Sequence, residues 1–298
     1  MDDQLKKHSL GFWQLAEPPS IQDLGLYYAN SYYQNQKSNY RHSYSEFEKE
    51  VLLKKINRHL DKALSIAAEA IGSRALDVGC GEGFVLRELR DRGFQVTGID
   101  FSVAGVQRMN PDLARFVEQG EIDQVLRKYV QNRRVFDLIW VDHVLEHVLD
   151  PATLLAHLRT LLANSGVMVV SVPNDGTRFQ EKLLEKGIIQ SRWWIAPPDH
   201  ISYFTLESLE ALARANGFES RSPEGSFPID WFLAHPGSNY VEDTSAGPGA
   251  HFARLFIEHE IENSGERKNL TNRFYEALAD LGLGRNLVTF LVKAQSSF

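Results

Sequence analysis

Two hydrophobic periods take turns along this chain. Over residues 46–70 the apolar positions Val51, Leu52, Ile56, Leu60, Ala63, Leu64 and Ala67 recur at intervals of three and four, which predicts a helix ended by Gly72. Residues 74–78 form a short continuous apolar run, the pattern of a buried strand. The same exchange repeats downstream. Strands are predicted at 94–100, 115–118, 135–141, 165–172, 217–220 and 287–293, and helices at 102–109, 152–162, 205–216, 251–262 and 270–281. Ser102, Asp150 followed by Pro151, and Thr205 supply N-terminal caps, and Gly282 or Gly284 closes the last helix. Strands alternating with helices in this way predict an α/β domain around a mainly parallel sheet.

Residues 1–45 do not follow either period. Six of the ten tyrosines (Tyr27, Tyr28, Tyr32, Tyr33, Tyr40 and Tyr44) fall here among polar residues. Tyrosine combines a flat apolar face with a polar tip, so the arm either grips a ring-shaped ligand or lies half exposed over the domain.

The chemistry begins where the first strand of that sheet ends. Leu76-Asp77-Val78-Gly79-Cys80-Gly81-Glu82-Gly83-Phe84 joins a strand to the first turn of a helix that continues through Leu89. Glycines at 79, 81 and 83 allow a tight turn and a close approach of backbone to ligand, and the helix start aims unpaired N–H groups at it. A dinucleotide fingerprint requires a third glycine at position 84, where this chain has phenylalanine. Asp77 places a carboxylate beside the turn, which suits a cation better than a pyrophosphate. The next strand ends in Asp100, placed to accept hydrogen bonds from a ribose.

With Gly98-Ile99-Asp100-Phe101-Ser102, these residues resemble the class I S-adenosylmethionine-dependent methyltransferases, over roughly residues 45–220. The resemblance implies a Rossmann-like sheet with helices on both faces and an antiparallel last strand, and S-adenosylmethionine as cofactor. It implies Asp77 near the methionine ammonium, Gly79, Cys80, Gly81 and Gly83 along the methionine and ribose, and Asp100, Phe101 and Ser102 at the ribose. Glu121 and Ile122 fall where the family places an acid and an apolar side chain against adenine; an exposed loop acid is the other reading of Glu121. An NAD-dependent dehydrogenase is disfavoured by Phe84 and Asp77.

After the strand at 135–141 comes Asp142-His143-Val144-Leu145-Glu146-His147-Val148-Leu149-Asp150-Pro151. His143-x-x-Glu146-His147 spells a zinc-protease pattern, but it follows a sheet strand, and Leu145 to Pro151 resembles the segment after strand four in small-molecule methyltransferases. There Asp142 and His143 fall beside the methionine, and Glu146 and His147 face the acceptor. His147 is a candidate base or a packed histidine that fixes the loop. Some quinone-pathway relatives hold a divalent metal here, which would mean His143, Glu146 and His147; the histidine at 143 in place of an acid argues against it, so no metal is expected.

Two insertions complete the chain. Residues 174–204 carry Trp193-Trp194-Ile195-Ala196-Pro197-Pro198-Asp199-His200, an aromatic lid whose His200 either reaches the substrate or caps the following helix. Residues 224–285 form a helical cap, which implies a cover for the acceptor pocket or a contact between two copies. The methyltransferase core is then 46–223 plus 286–298.

Composition narrows the partners. A formal charge of −7 with 24% charged residues offers no basic surplus for nucleic acid. One cysteine, Cys80, excludes an internal disulfide, and no apolar run is long enough for a signal peptide or a membrane span. A cytoplasmic protein is the expectation. The arm and lid suggest a ring-bearing or sugar-like acceptor: O- or N-methylation of a sugar is the first reading, methylation of a phenol or quinone precursor the second, and cofactor binding without catalysis the third.

Overall fold

The computed structural model describes residues 4–27, 43–67, 73–263 and 268–295. Strands β1 (Leu5–Lys7) and β2 (Trp13–Leu15) open the chain, followed by helices α1 (Ile21–Tyr27) and α2 (Glu46–Ile66). Strand β3 (Arg74–Val78), α3 (Phe84–Asp91), β4 (Gln95–Asp100), α4 (Ala104–Met109), β5 (Val117–Gln119), α5 (Ile122–Gln131), β6 (Phe136–Asp142), α6 (Pro151–Leu161) and β7 (Leu162–Pro173) then alternate. The second half holds α7 (Arg178–Glu185), β8 (Ser202–Tyr203), α8 (Leu206–Ala215), β9 (Phe218–Gly225), α9 (Gly247–Glu262), α10 (Lys268–Asp280) and β10 (Asn286–Lys293).

Seven strands form the central sheet in the order β5-β4-β3-β6-β7-β10-β9. β3, β4, β5, β6 and β7 pair in parallel, while β10 lies antiparallel between β7 and β9. Side chains of β6 alternate across the sheet: Ile139 and Val141 face one core, Leu138 and Trp140 the other. Helices α5, α6 and α8 fill the first face with Leu126, Leu155, Leu158 and Leu212, and α2, α3 and α4 cover the second with Leu60, Leu86, Leu89 and Val106. The apolar stripe read along α2 is therefore the face it buries. Because the strand order reverses between β3 and β6, the tips of these two strands open a crevice, the usual ligand site of an open α/β sheet.

Several expectations shift in position. The first helix ends at Ile66 rather than residue 70, and residues 68–72 lie outside the described chain. Pro111 starts a 3-10 helix, Pro111–Phe116, which delays the third parallel strand to Val117. The helix expected from Ser102 begins at Ala104, whose N–H donates to Ser102 Oγ at 3.2 Å, so the serine caps from two residues ahead. β9 runs on to Gly225, which leaves Glu224 in the sheet rather than in the cap. The arm and the lid are joined: β2 pairs with β8 in a separate three-stranded sheet, β1-β2-β8. Tyr28, Tyr32, Tyr33 and Tyr40 lie outside the described residues. No helix among the described residues is long and apolar enough to cross a membrane.

Candidate active site

The turn after β3 follows from its glycines. Gly79, Gly81 and Gly83 have φ values of 69°, 51° and 79°, a region where a Cβ is strained. The turn is sewn to the end of β4: Gly79 and Cys80 donate to the Ile99 carbonyl at 2.8 and 3.1 Å, and Gly81 donates to Asp100 Oδ2 at 2.8 Å. Asp100 Oδ1 accepts from Ser102 N at 3.0 Å. Glu82 takes the Tyr44 hydroxyl at 2.9 Å, tying the end of the arm to the same turn.

A cavity of about 580 Å³ opens above these elements. Asp77, Gly79, Cys80, Gly81 and Gly83 line it, together with Asp142, His143, His147 and His200. Asp77 is only 2% exposed, and its Oδ2 has no hydrogen-bond partner. Burial, reinforced by Asp142 and Asp100, raises its pKa well above the ordinary carboxylate value. A buried, unpaired carboxylate oxygen on a ligand cavity is what a cationic group would satisfy, and the methionine end of S-adenosylmethionine carries an ammonium.

The segment after β6 places its ionisable groups by an unusual backbone. His143 adopts φ 54°, and its N–H donates to the Ser171 carbonyl at 3.0 Å. Its Nδ1 donates to Glu146 Oε1 at 2.8 Å, while Nε2 meets the side-chain amide of Asn286 at 3.3 Å. Glu146 is 1% exposed; burial alone would raise its pKa, but the His143 hydrogen bond and charge outweigh this and hold it at about 2. Its Oε2 has no hydrogen-bond partner. His147 Nδ1 faces the Asp199 carbonyl oxygen at 2.8 Å and must carry a hydrogen there; Nε2 is then the nitrogen 3.9 Å from Glu146 Oε1. Burial acts to lower the His147 pKa, yet the Asp199 hydrogen bond and the Glu146 charge lift it to about 9. His200, whose ring centroid lies 5.0 Å from that of His147, is lowered by burial and keeps a buried Nδ1 with no partner. One ligand atom each from Glu146, His147 and His200 lie within 4.8 Å of one another, so this trio could hold a metal ion.

Some predicted site residues sit elsewhere. Glu121 caps α5, its two oxygens accepting from Asp123 N and Gln124 N at 3.1 Å each, and Ile122 is buried in the core. Neither lines the cavity. Phe101 packs half buried between two cores. The lid tryptophans are structural as well: Trp194 is 4% exposed in a cluster with Leu15, Leu183 and Ile201, and Trp193 lies 4.8 Å from the Arg285 guanidinium. The lid presents Asp199 and His200 to the cavity instead of its aromatic rings.

Other lining residues come from helices that the motif pattern did not single out: Lys55 and His59 of α2, and His251, Arg254 and Glu258 of α9. The cap reaches the site because a buried ion network fastens it. Glu224 of β9, 1% exposed, accepts from Lys62 at 2.7 Å and from Arg58; Arg58 also reaches Glu262 at 2.9 Å, and Lys62 reaches Glu276 at 2.7 Å. A sequence signal for this existed, since His59 and Lys62 interrupt the apolar stripe of α2.

A family model described as a methyltransferase domain matches residues 44–222, more than half of the chain. The chain belongs to that family. It is a class I S-adenosylmethionine-dependent methyltransferase. This methyltransferase is similar to a protein named ubiquinone biosynthesis O-methyltransferase from Marinobacter nauticus, with 31% identity over 170 residues, covering 51% of this chain and 69% of that protein. A protein of the same name from Pasteurella multocida is 27% identical over 191 residues, covering 57% and 77%. A solved S-adenosylmethionine-dependent methyltransferase from Archaeoglobus fulgidus aligns over 82% of this chain and 98% of its own, at 20% identity and a TM-score of 0.47. The cofactor of the methyltransferase is S-adenosylmethionine, and its acceptor is a small molecule.

Proposed function

We propose that this methyltransferase moves the methyl group of S-adenosylmethionine to a phenolic hydroxyl of a small ring compound of the quinone-precursor class. The observation that carries the reading is the pair of imidazoles, His147 and His200, on the cavity that also holds the unpaired carboxylate of Asp77, with the buried carboxylate of Glu146 beside them. The names of the curated relatives support the same acceptor class. Sugar methylation is the weaker reading, because Trp193 and Trp194, the side chains suited to stacking on a sugar, are engaged in packing the lid.

In this reading Asp77 pairs with the methionine ammonium, and the backbone of Gly79 to Gly83 lies along the methionine and ribose. Asp100, already anchoring the turn through Gly81, accepts from the ribose hydroxyls. Asp142 and His143 flank the methionine. The acceptor oxygen attacks the methyl carbon in line with the breaking carbon–sulfur bond, whose electron pair stays on sulfur to give S-adenosylhomocysteine. The sulfonium is already a good leaving group, so alignment is most of what the protein supplies. A phenol has a pKa of about 10 and must lose its proton as it attacks. In this reading the buried Nδ1 of His200, which lacks a partner, takes that proton, and the His147 imidazole donates to the developing oxygen charge.

The test is incubation with S-adenosylmethionine and matched panels of catechols, monophenols and nucleotide-linked sugars, with S-adenosylhomocysteine and methylated product read by mass spectrometry. Methylated phenol is the expected product. Methylated sugar with untouched phenols would overturn the acceptor class, and cofactor binding without product from any panel would favour a non-catalytic role.

A further inference from the structure

We infer that helices α9 and α10 carry the contact face of a homodimer, with a second copy of this chain as its occupant. Both helices lie beyond residues 44–222, the stretch matched by the methyltransferase domain. From α10 into the residue after it, Leu270, Phe274, Ala277 and Leu281 recur at intervals of four, three and four and are all exposed, so this apolar stripe faces outward. The opposite side of the helix is buried through Thr271, Tyr275, Leu278 and Ala279. On α9, Phe252, Phe256 and Ile257 are exposed, and the Phe252 and Phe256 rings stack with centroids 6.4 Å apart. The two stripes belong to one surface. A short connection makes the helices antiparallel neighbours, and Thr271 Oγ1 donates to the Ile261 carbonyl at 3.2 Å. One turn back from Ile261 and one turn on from Thr271, Ile257 and Phe274 fall at the same level.

The size of this face calls for a partner. Phe252, Phe256, Ile257, Leu270, Phe274 and Leu281 are between 36% and 69% exposed. At roughly 200 Å² for a full side chain, they leave on the order of 600 Å² of apolar surface bare, the upper end for a patch on a monomer. Homodimer interfaces are roughly 65% apolar, so a patch of that size corresponds to about 900 Å² per partner, above the standard of about 800 Å² for a stable interface. Charge decides between occupants. Arg273 of α10 is exposed and has no ion-pair partner among the described residues. Glu260 of α9 is 61% exposed and pairs with His259 at 3.2 Å. Glu260 follows Phe256 by four positions, and Arg273 lies three after Leu270 and four before Ala277, so both charges border the apolar stripes. An isologous contact must be self-complementary, and a two-fold axis across this face sets Arg273 of each chain against Glu260 of the other. An anionic lipid surface fits less well. It requires a basic border, whereas exposed Glu260 and Asp280 outnumber Arg273 here and the whole chain carries a charge of −7. The inward face of α9 lines the cavity with Arg254, Leu255 and Glu258, so a second copy braces that wall from outside.

The experiment is sedimentation velocity with light scattering on the full chain from about 0.5 to 50 μM, with neither cofactor nor acceptor added. The expected species has twice the 33.8 kDa of one chain, with a dissociation constant of about 1 μM or lower. Because each substitution enters the interface twice, Phe256→Glu and Phe274→Glu should each weaken the dimer about 100-fold or more, with the far-ultraviolet circular dichroism spectrum unchanged. Arg273→Glu and Glu260→Arg should each weaken it about tenfold, and the double variant should return to within about threefold of wild type, a rescue that a structural role for either residue alone does not produce. Both positions are exposed, so this pair carries the test should a phenylalanine variant not fold. A monomer at every concentration, a dimer that Phe256→Glu and Phe274→Glu leave intact, or a double charge reversal weaker than both single ones would each overturn the assignment. A monomer that cosediments with vesicles of phosphatidylglycerol and phosphatidylcholine, and is released by Phe256→Glu, would overturn it in favour of a lipid surface.

Discussion

Replacing Asp77 with asparagine should have opposite effects on stability and on cofactor binding. The side chain is 2% exposed, its Oδ2 has no partner, and burial raises its pKa well above 3.8. A group whose folded pKa is raised stabilises the fold at low pH, and that contribution is lost as pH rises from the unfolded value through the folded one. Above its folded pKa the wild type therefore carries the full cost of an ionised, unpaired carboxylate. Asparagine keeps the shape and removes the charge, so Asp77→Asn without ligand should gain about 1–2 kcal/mol, or roughly 4 °C in melting temperature. The gap between variant and wild type should close as pH falls toward 3.8. With cofactor the sign reverses. One charge-assisted hydrogen bond to the ammonium contributes about 1.5–3 kcal/mol, so S-adenosylmethionine and S-adenosylhomocysteine should each bind about 10- to 150-fold more weakly. Calorimetric titration and thermal melts from pH 4 to 8, on the same samples, measure both. A variant that melts lower than wild type at neutral pH, or binds the cofactor within about threefold of it, refutes the reasoning.

Other sites give sharper tests of position. Asp100→Ala removes both the proposed ribose acceptor and the anchor of Gly81 N, and should cost about 3 kcal/mol of cofactor affinity; unchanged affinity in calorimetry would sink the ribose assignment. A Cβ on Gly105 would lie 2.7 Å from the Gly81 carbonyl oxygen, so Gly105→Ala should press α4 against the turn, cost about 1–3 kcal/mol in urea denaturation and weaken cofactor binding. Glu224→Ala leaves Arg58 and Lys62 buried with only Glu262 and Glu276, and should destabilise the protein by about 3 kcal/mol, the low end for a broken buried ion pair, read as a lower urea midpoint. The same network sets an acid limit. His59 is lowered by burial to about 4, and Glu224, although burial raises it, is lowered overall by the His59 hydrogen bond and the Arg58 and Lys62 charges, so this network's contribution to stability is full above 6.5, the unfolded value of the histidine, and should fall as pH drops below it. A flat stability profile between pH 7 and 4 would contradict this.

What the sequence by itself determined is the local geometry of the glycine turn and the acids that flank it. Asp77, Gly79, Gly81, Gly83 and Asp100 lie within 24 consecutive residues on two neighbouring strands and the turn between them. Strand pairing and glycine conformations are short-range properties, so reading them in order was enough to place them. Thr177 and Gln180 carried a comparable local signal, a capping box that starts α7, a helix the sequence reading did not single out. The acceptor side is different in kind. His200 reaches His147 from 53 positions away because Ile201 and Ser202 hydrogen-bond to Glu146 and β8 pairs with the N-terminal β2. Arg254 and Glu258 line the cavity only because a buried network joins α9 and α10 to α2. Trp193 and Trp194 show the converse, since composition made them ligand-gripping rings and packing made them core. Contacts of this kind depend on long-range burial and on which charges find partners away from water, and neither is encoded in any short stretch of chain. Only the tertiary structure could decide which polar groups share the cavity with the glycine turn.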